Sequence, residues 1–314
     1  MKILFFGRGA IATQYGWALE QAGNDITFYV RPGRVAEYGR TISLNMFDAR
    51  KKIKGVLICE NWAIKMIEYL PENHDYDLII LSVQHYHVKS AVDFLTDKIG
   101  KATLLVFSTF WTEPQAALAQ IPESQLVWGF PQATGGFDEK GVMNASLFGK
   151  INIGTFGTAQ TQRGVAVINM FKLSEFTVKE FTDFRSYLFT HFVVNAAMHL
   201  ENLQWGDGLA PIAALKTTRY WRNIIANGKE LLPLLKARKV DMRVNSEIKL
   251  FSSPPFVLGL AMRVAIPLLP SLKQSLTCHS NPAELKSYCQ DVVKTADELR
   301  IELPRYKANK DVYK

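Results

Sequence analysis

Residues 1–16 read Met1-Lys2-Ile3-Leu4-Phe5-Phe6-Gly7-Arg8-Gly9-Ala10-Ile11-Ala12-Thr13-Gln14-Tyr15-Gly16, and this opening decides the fold. The apolar run predicts a buried strand over Lys2–Phe6, and the pattern after it predicts a helix over Ala10–Gln21. Between them stands a G-x-G-x-x-A turn in the strand–turn–helix setting that a dinucleotide fingerprint requires. Gly7 permits the tight turn, Gly9 lets a pyrophosphate approach the backbone, and Ala12 lets the helix pack close to its strand. The unpaired N–H groups and positive dipole end of that helix then face the diphosphate. Cofactor contacts are therefore expected from Gly7, Arg8, Gly9, Ala10, Ile11 and Ala12. The bland alternative is a tight turn that binds nothing.

The next strand, Asp25–Val30, sets the kind of cofactor. NAD sites usually carry Asp or Glu at its end to hold the ribose hydroxyls. Here the chain reads Val30-Arg31-Pro32-Gly33-Arg34, with no acid. The planar fork of arginine matches phosphate oxygens, so the pair points to the 2′-phosphate of NADPH. Arg31 is the principal contact expected, and Arg34 the one more readily left in solvent.

Further out, Val56–Cys59, Leu78–Val83, Thr103–Phe107, Gln125–Gly129 and Lys150–Thr155 read as strands, with a helical pattern over His87–Lys98. Apolar runs without alternation mark strands covered on both faces. A helix over Thr161–Leu173 and a strand near Phe176–Phe181 complete this part. The expectation is an α/β fold, an N-terminal Rossmann-type doubly wound parallel sheet. Beyond it Phe184–Gln204, Ile212–Leu235 and Asn281–Glu302 carry helical spacing, while Pro254, Pro255, Pro267 and Pro270 punctuate the region between. The boundary falls near residue 180, giving an NADP-binding domain over 1–180 and an all-α substrate and dimerisation domain over 181–314.

Composition agrees. The 314 residues suit two domains at roughly 150 residues each. With 48% hydrophobic and 21% charged residues the chain is not a disordered one. The net charge of +8 suits an anionic small ligand, but no Lys/Arg run with interleaved aromatics points to nucleic acid. Three cysteines form neither a disulfide framework nor a metal cluster, so a reducing compartment and no metal site are expected. No segment reaches eighteen uninterrupted apolar residues, and the four-residue run at the N-terminus is too short for a signal sequence. A cytoplasmic protein with neither membrane nor nucleic-acid partner is expected, its oligomeric state open, with a homodimer among the options.

A second constellation lies on the helix over Phe184–Gln204, where His191, Asn195 and His199 recur every four residues and share a face. Polar groups in line among apolar ones need partners. They form either a binding wall or ordinary core hydrogen bonds. A zinc pair fails, because eight residues of helix separate the histidines by about 12 Å.

Over nearly its whole length the chain resembles the ketopantoate reductase (2-dehydropantoate 2-reductase) family. Residues 1–16 are similar to the family's opening strand and glycine turn, and Arg31 sits where the family places its 2′-phosphate arginine. Leu81-Ser82-Val83-Gln84-His85-Tyr86 resembles a V-K-A-Y/W segment, and residues 184–195 (FRSYLFTHFVVN) resemble a helix entry of the form I-R-x-x-x-W-x-K-L-x-x-N. Pro282-Ala283-Glu284-Leu285, followed by Pro304, resembles the P-T-E-I/L block and its downstream proline.

The resemblance implies reduction of a small 2-oxo acid with NADPH, the reaction used in pantothenate biosynthesis. It places the family's proton-donating lysine at His191 and a second lysine, near the cofactor, at Gln84. An asparagine of the cofactor site falls on Thr109. Asn195 and Glu284 are retained as catalytic residues. His199 replaces a substrate-binding asparagine, and Ser271 stands for a serine that holds the substrate carboxylate beside Asn195.

Such a reaction needs a proton for the developing alkoxide and polar groups for the carboxylate. Histidine titrates near neutrality and can supply the proton, with Glu284 beside it keeping the imidazolium available. Four readings stay open: a 2-oxo acid reductase of altered substrate, a true ketopantoate reductase, a silent NADPH-binding sensor, and an opine- or hydroxyacid-type dehydrogenase.

Overall fold

Strands β1 (Lys2–Phe6) and β2 (Asp25–Tyr29) are followed by β3 (Thr41–Ala49), β4 (Val56–Ala63), β5 (Met66–Ile67) and β6 (Leu78–Leu81). Then come β7 (Thr103–Val106), β8 (Leu126–Phe130), β9 (Ala133–Phe137), β10 (Met143–Phe148), β11 (Lys150–Gly154) and β12 (Thr177–Phe181). The structure is a computed structural model that describes residues 1–206, 208–278 and 281–314. It divides into two units, Met1–Phe184 and Arg185–Lys314, so the division falls four residues beyond the expected boundary.

In the first unit eight strands form one sheet in the order β12-β11-β8-β7-β6-β1-β2-β5. Strand β1 pairs in parallel with β2 on one side and β6 on the other. Every residue of β6 (LIIL) and β7 (TLLV) is buried, as runs covered on both faces must be. The chain leaves β1 toward one edge and returns to β6, so the carboxyl ends of β1 and β6 flank the point where strand order reverses. In open α/β sheets that is where ligands bind. The Rossmann-type expectation therefore holds, with one amendment: β11 runs antiparallel to β8, so the sheet is mixed.

The unexpected part is a second sheet, β4-β3-β10-β9. Val56–Cys59, expected in the main sheet, is the start of β4, which pairs antiparallel with β3 from Thr41↔Ala63 to Asp48↔Val56. Strand β3 alternates buried Ile42, Leu44 and Met46 with half-exposed Ser43, Asn45 and Phe47, the mark of a sheet with one face on a core. Helix α1 (Ala10–Gln21) is the layer between the two sheets. Its residues Tyr15, Ala18 and Leu19 share one core with Ile3, Phe5 and Phe28 of the main sheet and with Leu44, Met46 and Ala145 of the second.

All of Ala12–Leu19 is buried, which is why the helix shows little amphipathic contrast. A close approach of helix to strand is found at Gly16, one turn after Ala12. A Cβ at Gly16 would come within 2.7 Å of Phe28. A half-buried ion pair ties the second sheet to the rest. Arg50 donates to Asp48 from Nε at 2.9 Å and from Nη2 at 2.8 Å, and from Nη1 to the Ser174 carbonyl at 2.8 Å. The remaining helices of this unit are α2 (Arg34–Tyr38), α3 (Val88–Leu95), α4 (Pro114–Ala117) and α5 (Gln162–Leu173).

The second unit is helical. Nearly all of α6 (Phe184–Asn202) belongs to it, followed by α7 (Ile212–Leu215), α8 (Thr218–Ala237), α9 (Pro255–Leu268), α10 (Pro270–Thr277), α11 (Pro282–Leu299), α12 (Pro304–Ala308) and α13 (Lys310–Tyr313). The single helix expected over Ile212–Leu235 is broken before Thr217, whose side chain accepts from the Tyr220 N–H and starts α8. Pro255, Pro270, Pro282 and Pro304 each open a helix, where a missing N–H costs nothing. The proline-punctuated region therefore holds two helices. Among the described residues no single helix is long and apolar enough to cross a membrane.

Candidate active site

At the end of β1 the backbone turns through Gly7, whose φ of 101° lies in the left-handed region, and the Gly7 N–H donates to the Tyr29 carbonyl at 2.9 Å. Gly9 is the N-cap of α1, and no described side chain caps that end. A Cβ built on Gly9 would meet no atom within 4 Å, so open space lies before these N–H groups. An uncapped helix start with room in front of its glycine fits a diphosphate.

Arg8 adds something the motif alone does not contain. Its guanidinium lies 4.2 Å from the ring centre of Tyr38 and 4.7 Å from that of Phe137, in the second sheet. Its Nε is buried without a hydrogen bond among the described residues, and burial lowers its pKa. Tyr38 and Phe137 carry no motif and were not legible beforehand.

The expected absence of an acid near the end of β2 needs correcting. Strand β5 pairs with the end of β2, which brings in Glu68 just beyond it. The Val35 N–H donates to Glu68 Oε1 at 2.7 Å, and bonds from Val35 and Gly33 hold its carboxyl below the usual range. Of the two arginines, Arg34 pairs with Glu37 and Arg31 is exposed with no side-chain hydrogen bond among the described residues.

Across the reversal point, Gln84 opens the short turn His85–His87, its carbonyl accepting from the His87 N–H at 2.8 Å. Thr109 is half-buried beyond β7, beside Ser108, whose hydroxyl donates to the Val83 carbonyl at 2.9 Å. Ser82 Oγ, just past β6, is a buried hydroxyl without a partner among the described residues. Sequence reading gave it no role.

In the second unit the α6 stripe resolves into a connected chain. His191 Nδ1–H donates to Glu247 Oε2 at 2.6 Å, and Asn195 Nδ2 donates to His191 Nε2 at 2.9 Å. These partners fix the neutral ring as the Nδ1–H tautomer. The His191 side chain is 14% exposed and that of Glu247 33%.

Glu247, not Glu284, is the carboxylate on Nδ1. It comes from a turn at Ser246–Ser252, where Asn245 Oδ1 accepts from the Glu247 N–H at 3.0 Å and Asn245 Nδ2 donates to Glu247 Oε2 at 3.3 Å. Phe251, 1% exposed, seats that turn against α8 at Gly228, where a Cβ would come within 2.0 Å of the Phe251 ring. The sequence signal was slight, an Asn-x-Glu step in a region with no periodicity. His199 packs edge-on against Tyr288 at 4.9 Å between ring centres, and Ser271 is fully buried near the start of α10. Glu284 is the third residue of α11 after the N-cap Asn281, which accepts from the Glu284 N–H at 3.4 Å. The Asn-Pro-Ala-Glu block is thus also a helix start.

The model of the family described as Ketopantoate reductase PanE/ApbA matches residues 3–158. The chain belongs to that family. It is a divergent member of the ketopantoate reductases: no curated protein matches it. Among solved structures, a PanE/ApbA family ketopantoate reductase from Ralstonia eutropha JMP134 is 17% identical, with a TM-score of 0.70, over 100% of this chain and 97% of that one. A 2-dehydropantoate 2-reductase from Geobacter metallireducens GS-15 is 16% identical, with a TM-score of 0.70, over 100% and 99%. A D-mandelate dehydrogenase with NADH and anilino(oxo)acetate is 16% identical, with a TM-score of 0.70, over 100% and 97%. At such identities the likeness to these structures shows the fold alone, and the family match makes the chain one of a group of oxidoreductases.

Proposed function

We propose that this chain is an NADPH-dependent reductase of a small 2-oxo acid, of the 2-dehydropantoate 2-reductase type, with His191 as proton donor. The observation that carries the reading is the Glu247–His191–Asn195 chain of hydrogen bonds. NADPH, when bound, supplies the hydride that reduces the carbonyl carbon. The N–H groups of Ala10, Ile11 and Ala12 hold its diphosphate, and Arg31 and Arg8 provide cations for the adenosine 2′-phosphate. Glu247 orients the imidazole and compensates the charge the ring carries once protonated, as a buried carboxylate does for a catalytic histidine. The proton leaves through Nε2, so Asn195 releases that nitrogen and turns its amide to the substrate. His199, Ser271 and Glu284 take the substrate roles that the family resemblance implies.

A cofactor titration followed by an NADPH-oxidation screen over 2-oxo acids, 2-dehydropantoate and benzoylformate included, tests this. Turnover is expected to fall by about 10²-fold or more in His191→Ala and to recover in part in His191→Lys, which restores the family's donor. Unchanged kcat in His191→Ala overturns the acid role, and binding without any turnover indicates a silent cofactor-binding protein. Pantothenate biosynthesis follows only if 2-dehydropantoate is the best substrate. A second reading, NADH as the cofactor, is favoured by Glu68, a carboxylate that the pairing of β5 brings beside the end of β2, where ribose hydroxyls are held.

A further inference from the structure

At the C-terminal end of α6 a cavity of about 590 Å³ opens among α6, α8 and α12. Its size is that of a small-molecule site. Glu201 lines it and is only 8% exposed, a rare state for a carboxylate that forms no ion pair among the described residues. One oxygen accepts from Asn223 Nδ2 at 3.1 Å, and the other has no hydrogen bond among the described residues. Burial raises its pKa, against the pull of Arg305 and Arg219, which line the same cavity.

Arg305 is held in place. Its Nε donates to Asn227 Oδ1 at 2.8 Å, Asn227 Nδ2 donates to the Ala197 carbonyl at 3.1 Å, and the Arg305 backbone N–H donates to Glu230 Oε1 at 2.9 Å. Its two terminal nitrogens make no hydrogen bond among the described residues, and neither does the side chain of Arg219 at the exposed rim. The cavity therefore combines a fixed guanidinium fork with a carboxylate that has spare accepting capacity. A fork matches a carboxylate in two-point fashion, and a buried acceptor selects a donor beside it.

We propose that this cavity is a second ligand site, for a small carboxylic acid bearing an adjacent hydroxyl or ammonium group. It is independent of the His191 chain and of the function proposed above. Calorimetric titration of the full chain with lactate, alanine, propionate and inorganic phosphate tests it, with Trp205 fluorescence as a local reporter because Trp205 lines the cavity. Lactate or alanine is expected to bind about tenfold tighter than propionate, and which of the two does so tells hydroxyl from ammonium. Glu201→Gln is expected to erase that preference, and Arg305→Lys and the rim variant Arg219→Ala to weaken binding about three- to tenfold. His191→Ala leaves the binding in place. No heat at ~50 mM acid, phosphate binding as tightly as either acid, or binding lost in His191→Ala yet intact in Arg219→Ala overturns the proposal.

Discussion

At Gly7–Ala12 the groups on offer are main-chain N–H groups within six residues of one another, whereas at His191 they are side chains drawn from positions as far apart as Asn195 and Glu247. The first region is a property of backbone path. It needs a left-handed glycine, a helix start without a cap and empty space before Gly9. The second is a property of tertiary packing, because Glu247 reaches Nδ1 only while its turn is seated on Gly228 through Phe251. A local site can be read in a short string of residues. A site assembled at long range shows only one of its members, here the helical stripe His191–Asn195–His199.

That contrast can be tested from its strongest consequence downward. Glu247→Gln keeps the shape but not the charge, and kcat is expected to fall by about 10²-fold with KM for cofactor unchanged, measured in steady state. The same loss in Glu284→Gln, with Glu247→Gln silent, would return the role to Glu284. Arg31→Ala removes a charge-assisted contact of about 2 kcal/mol, so KM for NADPH is expected to rise roughly thirtyfold and that for NADH to stay put. Equal change in both favours the NADH reading and Glu68. Gly9→Val fills the open space before α1, and cofactor affinity is expected to drop about tenfold at unaltered thermal stability. A variant that melts early instead shows the glycine serving packing.

The smallest effect concerns pH. Because burial raises the Glu201 pKa above its ordinary 4.5, the folded chain holds more protons than the unfolded one just above that value. Stability from this group is full below 4.5, declines as pH rises through the folded pKa, and is level thereafter. Urea titrations are expected to show a flatter decline in Glu201→Gln; an identical pH slope breaks the link between burial and charge.

Much of the first unit was legible because its strands are apolar runs with covered faces and its turn has a known mechanism. Strand β3 was missed although Gly39 precedes it and Gly55 follows it, since Thr41–Ala49 mixes Ser43, Asn45 and Asp48 into an alternating pattern rather than a continuous apolar run. With β3 went the second sheet, Phe137 and the aromatic clasp on Arg8. Glu68 was hidden for a related reason: β5 is two residues long, too short to show any period, and only pairing with β2 brings the acid to the turn. Pro255 and Pro270 read as interruptions although each opens a helix, because proline is a breaker inside a helix and a good first residue.

The position of α1 between two sheets has a mechanical consequence. A surface helix can rock when a ligand docks on its end, but this one has β-structure on both flanks and has little freedom to pivot. The amide dipoles at its tip are thus pre-set before any phosphate arrives, and little reorganisation is left for binding to drive. Slow hydrogen exchange along Ala12–Leu19, equal in the presence and absence of dinucleotide, is the signature of such a fixed anvil.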